Sequence, residues 1–263
     1  MNEAGAHKTS ALVEGALMLL NLLVLFAGAL GIGFVSAIAG IGGGSLMVPF
    51  MVLMLDYDVK VAIATSLLCI VVTSSSAASV YLRRGAVDIK TALLLEPTTA
   101  LGAIVGAYIT LTLPVKVVKG ALGALLLYVS VTMLRRALWR VEEASADATA
   151  VKVVPVRKLL GVLVSFLAGL TSGMFGIGGG VLKVPLMALI MGLPIKIAVA
   201  TSSFMVGLTA ASGGVVYLMR GLTDPISVIA LASGIIPGAT LGARYMRKLE
   251  PRTVRLVFSF ILL

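Results

Sequence analysis

The sequence is poor in the residues that most soluble chemistry uses. It holds one cysteine, Cys69, one histidine, His7, and one tryptophan, Trp139. A lone cysteine excludes an intrachain disulfide framework and a CxxC redox or zinc site. His7 stands in a polar N-terminal tail, so no histidine base is available within the apolar part of the chain. Charge is scarce too: 12% of residues are charged, about half the share of a soluble domain. The apolar stretches do not alternate with period two, which excludes the strands of a membrane barrel. The net charge of +10 is not a nucleic-acid signal. Its basic residues lie mostly in short loops beside apolar runs, with no aromatic-rich basic face to stack bases. No nucleic-acid partner and no cofactor are expected.

Long apolar runs are abundant. The chain is 59% hydrophobic with a mean hydropathy of +1.12. The runs are Ala16–Ala39, Val61–Leu82, Ile89–Leu113, Val117–Leu138, Leu159–Phe175, Ile197–Met219 and Pro225–Ala243. Most reach the roughly 20 residues that a spanning helix needs. In hydrocarbon each backbone polar group must be paired within its own segment, so the runs read as helices. The expected class is an all-α polytopic membrane protein of the cell inner (plasma) membrane, with the lipid bilayer as its surroundings. "SAIAG" at Ser36–Gly40 is shaped like a signal-peptidase site. The run before it is too long for a signal peptide, and its counterpart Leu159–Phe175 is internal, so it reads as a membrane helix.

The chain repeats itself at an offset of 136 residues. "GIGGGSLMVPF" from Gly40 returns as "GIGGGVLKVPL" from Gly176, with 8 of 11 positions identical. The register then holds without a gap. "ATS" at Ala64–Ser66 meets Ala200–Ser202, "VYL" at Val80–Leu82 meets Val216–Leu218, Asp88 meets Asp224, and Gly102 and Gly106 meet Gly238 and Gly242. Self-similarity of this length marks a duplicated structural unit. The expected organisation is a first transmembrane repeat over 1–138, a polar linker over 139–157 and a second repeat over 158–263. The last helix, from about Thr253, stops at Leu263, short of its counterpart, which runs to about Leu138.

Each unit reads as one full span, the glycine-rich break, a short apolar segment (Leu46–Leu55; Leu182–Leu193) and three further spans. A short segment of this size covers roughly 15–18 Å as a helix, half a bilayer. If it crosses with help from the break, each unit has five crossings and the repeats are inverted. If it re-enters and returns, each has four and they are parallel. In the inverted scheme 15 of the 21 basic residues gather on one side, including the clusters Arg135–Lys158 and Arg244–Arg255. The parallel scheme splits those clusters across the membrane, against the positive-inside tendency. Charge therefore favours inverted repeats, with the N-terminus outside and the linker in the cytoplasm.

Four glycines in five residues, twice, within apolar sequence demand an explanation. Non-helical backbone survives at membrane depth only where protein or a water-filled cavity satisfies it. Glycine adopts the positive φ such a break needs and leaves N–H groups uncovered. A helix starting near Ser45 or Val181 would point its N–H groups and positive dipole end at the break. Paired, glycine-interrupted short segments in two halves point to a transporter binding site, here one suited to an anion. Close packing is the competing reading; it suits Gly102-x-x-x-Gly106 and Gly238-x-x-x-Gly242 better. No GK[ST] follows either run, as a phosphate-binding loop would require.

These motifs resemble the sulfite exporter TauE/SafE family, also called the four-toluene-sulfonate uptake permease family. The resemblance rests on "GIGGGSLMVPF", "VAIATS" and "YLRRGAVD" and on their copies "GIGGGVLKVPL", "IAVATS" and "YLMRGLTD". It covers the chain from about Ala16 on. It implies secondary transport of sulfur-containing anions such as sulfite and organosulfonates. A transporter or channel for another small anion or solute is the alternative. The two copies are not equivalent, since Met47 stands where the second has Lys183.

The candidate substrate-binding residues are Gly42, Gly43, Gly44 and Ser45 in the first copy and Gly178, Gly179, Gly180 and Lys183 in the second. Thr65, Ser66, Thr201 and Ser202 join them, because hydroxyls there can complete an anion's hydrogen bonds. Their other reading is a helix hydroxyl bonded to its own backbone. Lys183 lies in a segment otherwise apolar through Leu193, so it must pair, snorkel or line a polar cavity. Glu96, followed by Pro97, is a carboxylate about seven residues inside a span. It either carries a coupling proton, pairs with Lys183, or faces interfacial water near a kink. Coupling to a proton or another ion, and a homodimer, are both compatible with the pattern. Asp88 and Asp224 read as helix caps, Asp224 with Pro225 at the first helical position. An intramembrane hydrolase with Ser45 as nucleophile would need a base and lacks a histidine. Val181 also replaces Ser45 in the second copy, so an enzyme is not expected.

Overall fold

The computed structural model describes residues 23–138, 155–246 and 248–249. The described chain is helical, with no strand among the described residues. The helices are α1 (Leu23–Ala39), α2 (Gly44–Met54), α3 (Val59–Leu82), α4 (Ile89–Thr112), α5 (Val115–Leu138), α6 (Pro155–Phe175), α7 (Gly180–Pro185), α8 (Ile195–Leu218) and α9 (Pro225–Met246). A π-helical turn, Leu186–Ile190, continues α7. Among the described residues four helices, α3, α4, α8 and α9, are long and apolar enough to cross a membrane by length and composition. In each copy the described residues run helix, break, short helix and long helices. The start of the first apolar run, most of the polar linker and the final helix from Thr253 lie outside the described residues.

Helix ends follow local chemistry. Asp58 accepts the Lys60 amide at 2.8 Å and caps α3. Asp88 accepts the amides of Lys90 and Thr91 at 3.1 and 3.2 Å and caps α4. Asp224 accepts the Ile226 amide at 3.2 Å, and Pro225 begins α9. Each cap satisfies donors that the helix itself leaves unpaired. Asp224 also accepts from the Ser227 hydroxyl at 2.6 Å and the Tyr57 hydroxyl at 3.1 Å. These bonds, Ser227's foremost, hold its carboxyl below its ordinary range. The tie is therefore intact at neutral pH and is lost only as pH falls through that depressed pKa.

The long helices form an inner pair and an outer pair. The apolar windows of α3 and α8 are each 67% buried within the protein, against 44% for α4 and α9. The outer helices instead expose Leu93, Leu101 and Val105 on α4 and Ile229, Ile236 and Leu241 on α9. An apolar exterior of this kind suits a hydrocarbon solvent, where burial gains nothing by hiding leucine from lipid.

The two copies interlock rather than sit side by side. A Cβ added to Gly102 or Gly106 on α4 would strike the carbonyls of Phe166 and Leu170 on α6. A Cβ on Gly238 or Gly242 of α9 would strike those of Leu30 and Phe34 on α1. The numbers differ by 136 throughout. The first helix of each copy thus packs against a long helix of the other. Backbones can approach so closely only where both faces carry small residues, which is the packing role expected of these glycines. Within each copy, Tyr81 and Tyr217 tie the inner helix to the first helix of the same copy, donating to the Ala37 and Gly173 carbonyls at 2.7 and 2.8 Å.

Candidate functional site at the two glycine breaks

Each break is a short chain of left-handed glycines. Gly40, Gly42 and Gly43 have φ of 72, 79 and 93°; Gly176, Gly178 and Gly179 have 67, 83 and 74°. Any side chain at these positions is strained, which explains the residue type at each. The short helices begin immediately after, at Gly44 and Gly180, within a residue of the expected starts, and no side chain caps either. In α2 the Leu46 and Met47 amides bond to the Gly43 carbonyl, at 3.1 and 2.9 Å. The Gly44 and Ser45 amides therefore have no partner within the helix.

The breaks meet. A Cβ on Gly44 would collide with the Gly176 carbonyl oxygen, and one on Gly180 would lie 2.5 Å from that of Gly40. Ile70 and Val206, which are also 136 apart, pack against both Gly42 and Gly178. The "ATS" serines cross over to hold the contact. The Ser66 hydroxyl donates to the Gly176 carbonyl at 2.9 Å, and the Ser202 hydroxyl donates to the Gly40 carbonyl at 2.8 Å. These hydroxyls thus tie down the opposite break. Ser66→Ala and Ser202→Ala are each expected to cost about 1–2 kcal/mol, because a buried carbonyl loses its donor. Thermal unfolding in detergent checks this; unchanged midpoints would mean that the breaks are held by backbone packing alone.

The neighbouring threonines differ. Thr201 accepts the Asp88 amide at 2.9 Å. Thr65, its counterpart, is fully buried and its hydroxyl has no partner among the described residues.

Lys183 lies in α7, fully buried, and does not reach solvent. Its Nζ donates to Glu96 Oε2 at 3.0 Å and to Thr209 Oγ1 at 2.5 Å. The Thr209 hydroxyl donates to Glu96 Oε1 at 2.6 Å. Glu96 is itself 7% exposed, so it does not face interfacial water. Of the three arrangements open to Lys183, pairing is therefore the one adopted. The pair joins the two copies, α4 of the first to α7 and α8 of the second. It has no equivalent in the other copy: Met47, fully buried, replaces Lys183, and Ala232 stands at the position of Glu96.

Ser45 is in the first turn of α2, 4% exposed, with an unpartnered hydroxyl. Two further serines at the breaks were not picked out from the sequence. Ser36, near the end of α1, and Ser172, near the end of α6, are fully buried and unpartnered. A Cβ on Gly43 would find the Ser36 hydroxyl oxygen as its nearest neighbour, at 3.1 Å. The signal was available, since a serine recurs at the 136-residue offset inside two apolar runs, in "FVSAIAG" and "LTSGMFG". Thr209 was legible only as one of several small polar residues of α8.

Comparison with known proteins follows the same lines. The family model for the sulfite exporter TauE/SafE matches residues 25–263. A probable membrane transporter protein of Bacillus subtilis, YunE, is 30% identical over 88% of this chain and 90% of its own length. A second from that organism, YdhB, is 27% identical over 90% of this chain and 93% of its own. An Arabidopsis thaliana protein, sulfite exporter TauE/SafE family protein 6, is 38% identical over 36% of this chain and 22% of its own length. No solved structure gives a significant match.

Proposed function

The chain belongs to the sulfite exporter TauE/SafE family, a family of membrane transporters, and on that premise we propose that it carries small sulfur-containing anions such as sulfite or organosulfonates across the cell inner (plasma) membrane. Transport runs by alternating access around the two glycine breaks. The observation that carries this reading is the reciprocal contact of Gly44 with Gly176 and of Gly180 with Gly40. It brings two interrupted helices from two copies to one place, the arrangement in which transporters bind substrate. Uncapped N–H groups and the positive end of the α2 dipole suit a negative ligand. Glycines 42–44 and 178–180 line that place; Ser66 and Ser202 hold its shape.

The repeats in this reading are inverted, with the linker in the cytoplasm. The reciprocal exchange of partners is what a two-fold relation between the copies produces, and the 15-to-6 division of basic residues supports an axis in the membrane plane. Cysteines placed at Ala146 and Lys116 should then be labelled from opposite sides. The unlike states of Thr201, which accepts the Asp88 amide, and Thr65, which is buried without a partner among the described residues, are an asymmetry between the copies that alternating access would exchange. Glu96, paired with Lys183, is the residue through which a proton or another ion would couple to the anion.

Purified protein in liposomes tests the whole. Uptake of labelled sulfite, driven by a gradient and slowed by unlabelled sulfonates, is the expected result. Unitary currents would instead make it a channel, and absence of flux for sulfite, sulfate, thiosulfate, sulfoacetate and taurine would overturn the substrate class.

A further inference from the structure

Many helix hydroxyls of this protein bond to their own backbone, but five buried ones among the described residues, those of Ser36, Ser45, Thr65, Ser165 and Ser172, have no partner. Thr73, Ser76, Thr99 and Ser212 each donate to the carbonyl four residues back, at 2.8–3.0 Å. That is the usual way for a helix hydroxyl to satisfy itself away from water. Ser36 is in helix α1 with the same option, is fully buried, and does not take it. Its oxygen instead stands over Gly43, the residue that opens α2. Ser45, the second residue of α2, likewise leaves a buried hydroxyl unpaired. A buried unpaired hydroxyl costs stability and calls for an explanation; of the five, Ser36 and Ser45 are the two that stand at the start of α2.

Resting on the transport reading above, we propose that Ser36 belongs to the anion site. It acts with the Ser45 hydroxyl and the Gly44 and Ser45 amides at the start of the 11-residue helix α2. Together these residues offer four donors around the start of α2, enough for the three oxygens of an XO3 group such as sulfite or a sulfonate. The second break is built differently. Val181 replaces Ser45. The atoms nearest a Cβ on Gly179 are the Ala168 carbonyl at 2.9 Å and the Ser172 Cβ at 3.5 Å, not the Ser172 hydroxyl. The charge of Lys183 is already matched by Glu96. The first break therefore sets affinity for the anion's oxygens, and Ser36 is the residue of it that lies outside the glycine motif.

The test uses the full chain in liposomes, with sulfite and methanesulfonate as probes. Ser36→Ala should raise the KM for both by about tenfold, the loss typical of one hydrogen bond to a charged ligand. The same change should leave the ligand-free melting temperature unchanged or higher, because it removes an orphaned polar group. Ser36→Cys, a weaker donor, should fall between. Ser172→Ala should stay within about twofold of wild type. An unchanged KM in Ser36→Ala, or an equal rise in Ser172→Ala, overturns the assignment. Wild-type protein that transports neither probe overturns the transport reading itself, which separates the two failures.

Discussion

Lys183→Met is expected to lower the melting temperature of the detergent-solubilised protein by roughly 10 °C. The substitution leaves Glu96 buried and without its cation, and breaking a buried pair from one side costs about 3–5 kcal/mol. In a chain of this size each kcal/mol moves the midpoint by about 2–4 °C. Methionine itself is not the problem, because Met47 occupies the equivalent position of the other copy, fully buried. The double variant Lys183→Met with Glu96→Gln should recover most of the loss, since it removes both charges and leaves Thr209 an amide to bond. Transport separates structure from function here. If Lys183 and Glu96 serve only packing, the double variant regains flux with stability. If they serve the anion or its coupling ion, stability returns and flux does not. In the latter case anion affinity in the folded variants should fall tenfold to a hundredfold, equivalent to about 1.5–3 kcal/mol.

Gly44→Ala is expected to abolish transport and to stop the two breaks from closing on each other. One methyl is enough, because its neighbour would be the Gly176 carbonyl oxygen, a backbone atom that no rotamer change can move. Overpacking of a rigid contact costs about 1–3 kcal/mol and more when backbone must shift. Gly180→Ala, against the Gly40 carbonyl and the Ile41 Cα at 2.5 and 2.6 Å, should behave the same way. Gly43→Val and Gly179→Val add a second fault, since each puts a branched side chain at a positive φ. Gly31→Ala is the control: it lies in helix α1 with nothing within 4 Å of the added Cβ. It should be neutral or slightly stabilising, as alanine is the better helix former. Flux and melting temperature measured together on all five variants decide the matter. Wild-type flux in Gly44→Ala would reduce the glycine runs to ordinary packing.

The sequence by itself determined what depends on near neighbours along the chain. Apolar length made the helices, because each can satisfy its own backbone. Glycine runs made the breaks, because only glycine tolerates φ of 67–93° in series. Asp88 and Asp224 made caps, because the donors they satisfy are two or three residues away. The offset of 136 residues made the duplication legible, and the doubled motifs identified the family. None of this says which surfaces meet. The interlocking of α4 with α6 and of α9 with α1, the serines that cross to the opposite break, and the Lys183–Glu96 pair, 87 residues apart, were decided by tertiary structure alone. Ser36 recurs at the 136-residue offset as Ser172, but its place over Gly43 was likewise decided by tertiary structure. Small residues permit close approach without choosing the partner, and a hydroxyl's role follows from which acceptor stands near it. Those choices are made when the two copies pack together: the Ser66 and Ser202 hydroxyls and the Lys183–Glu96 pair find their partners in the other copy.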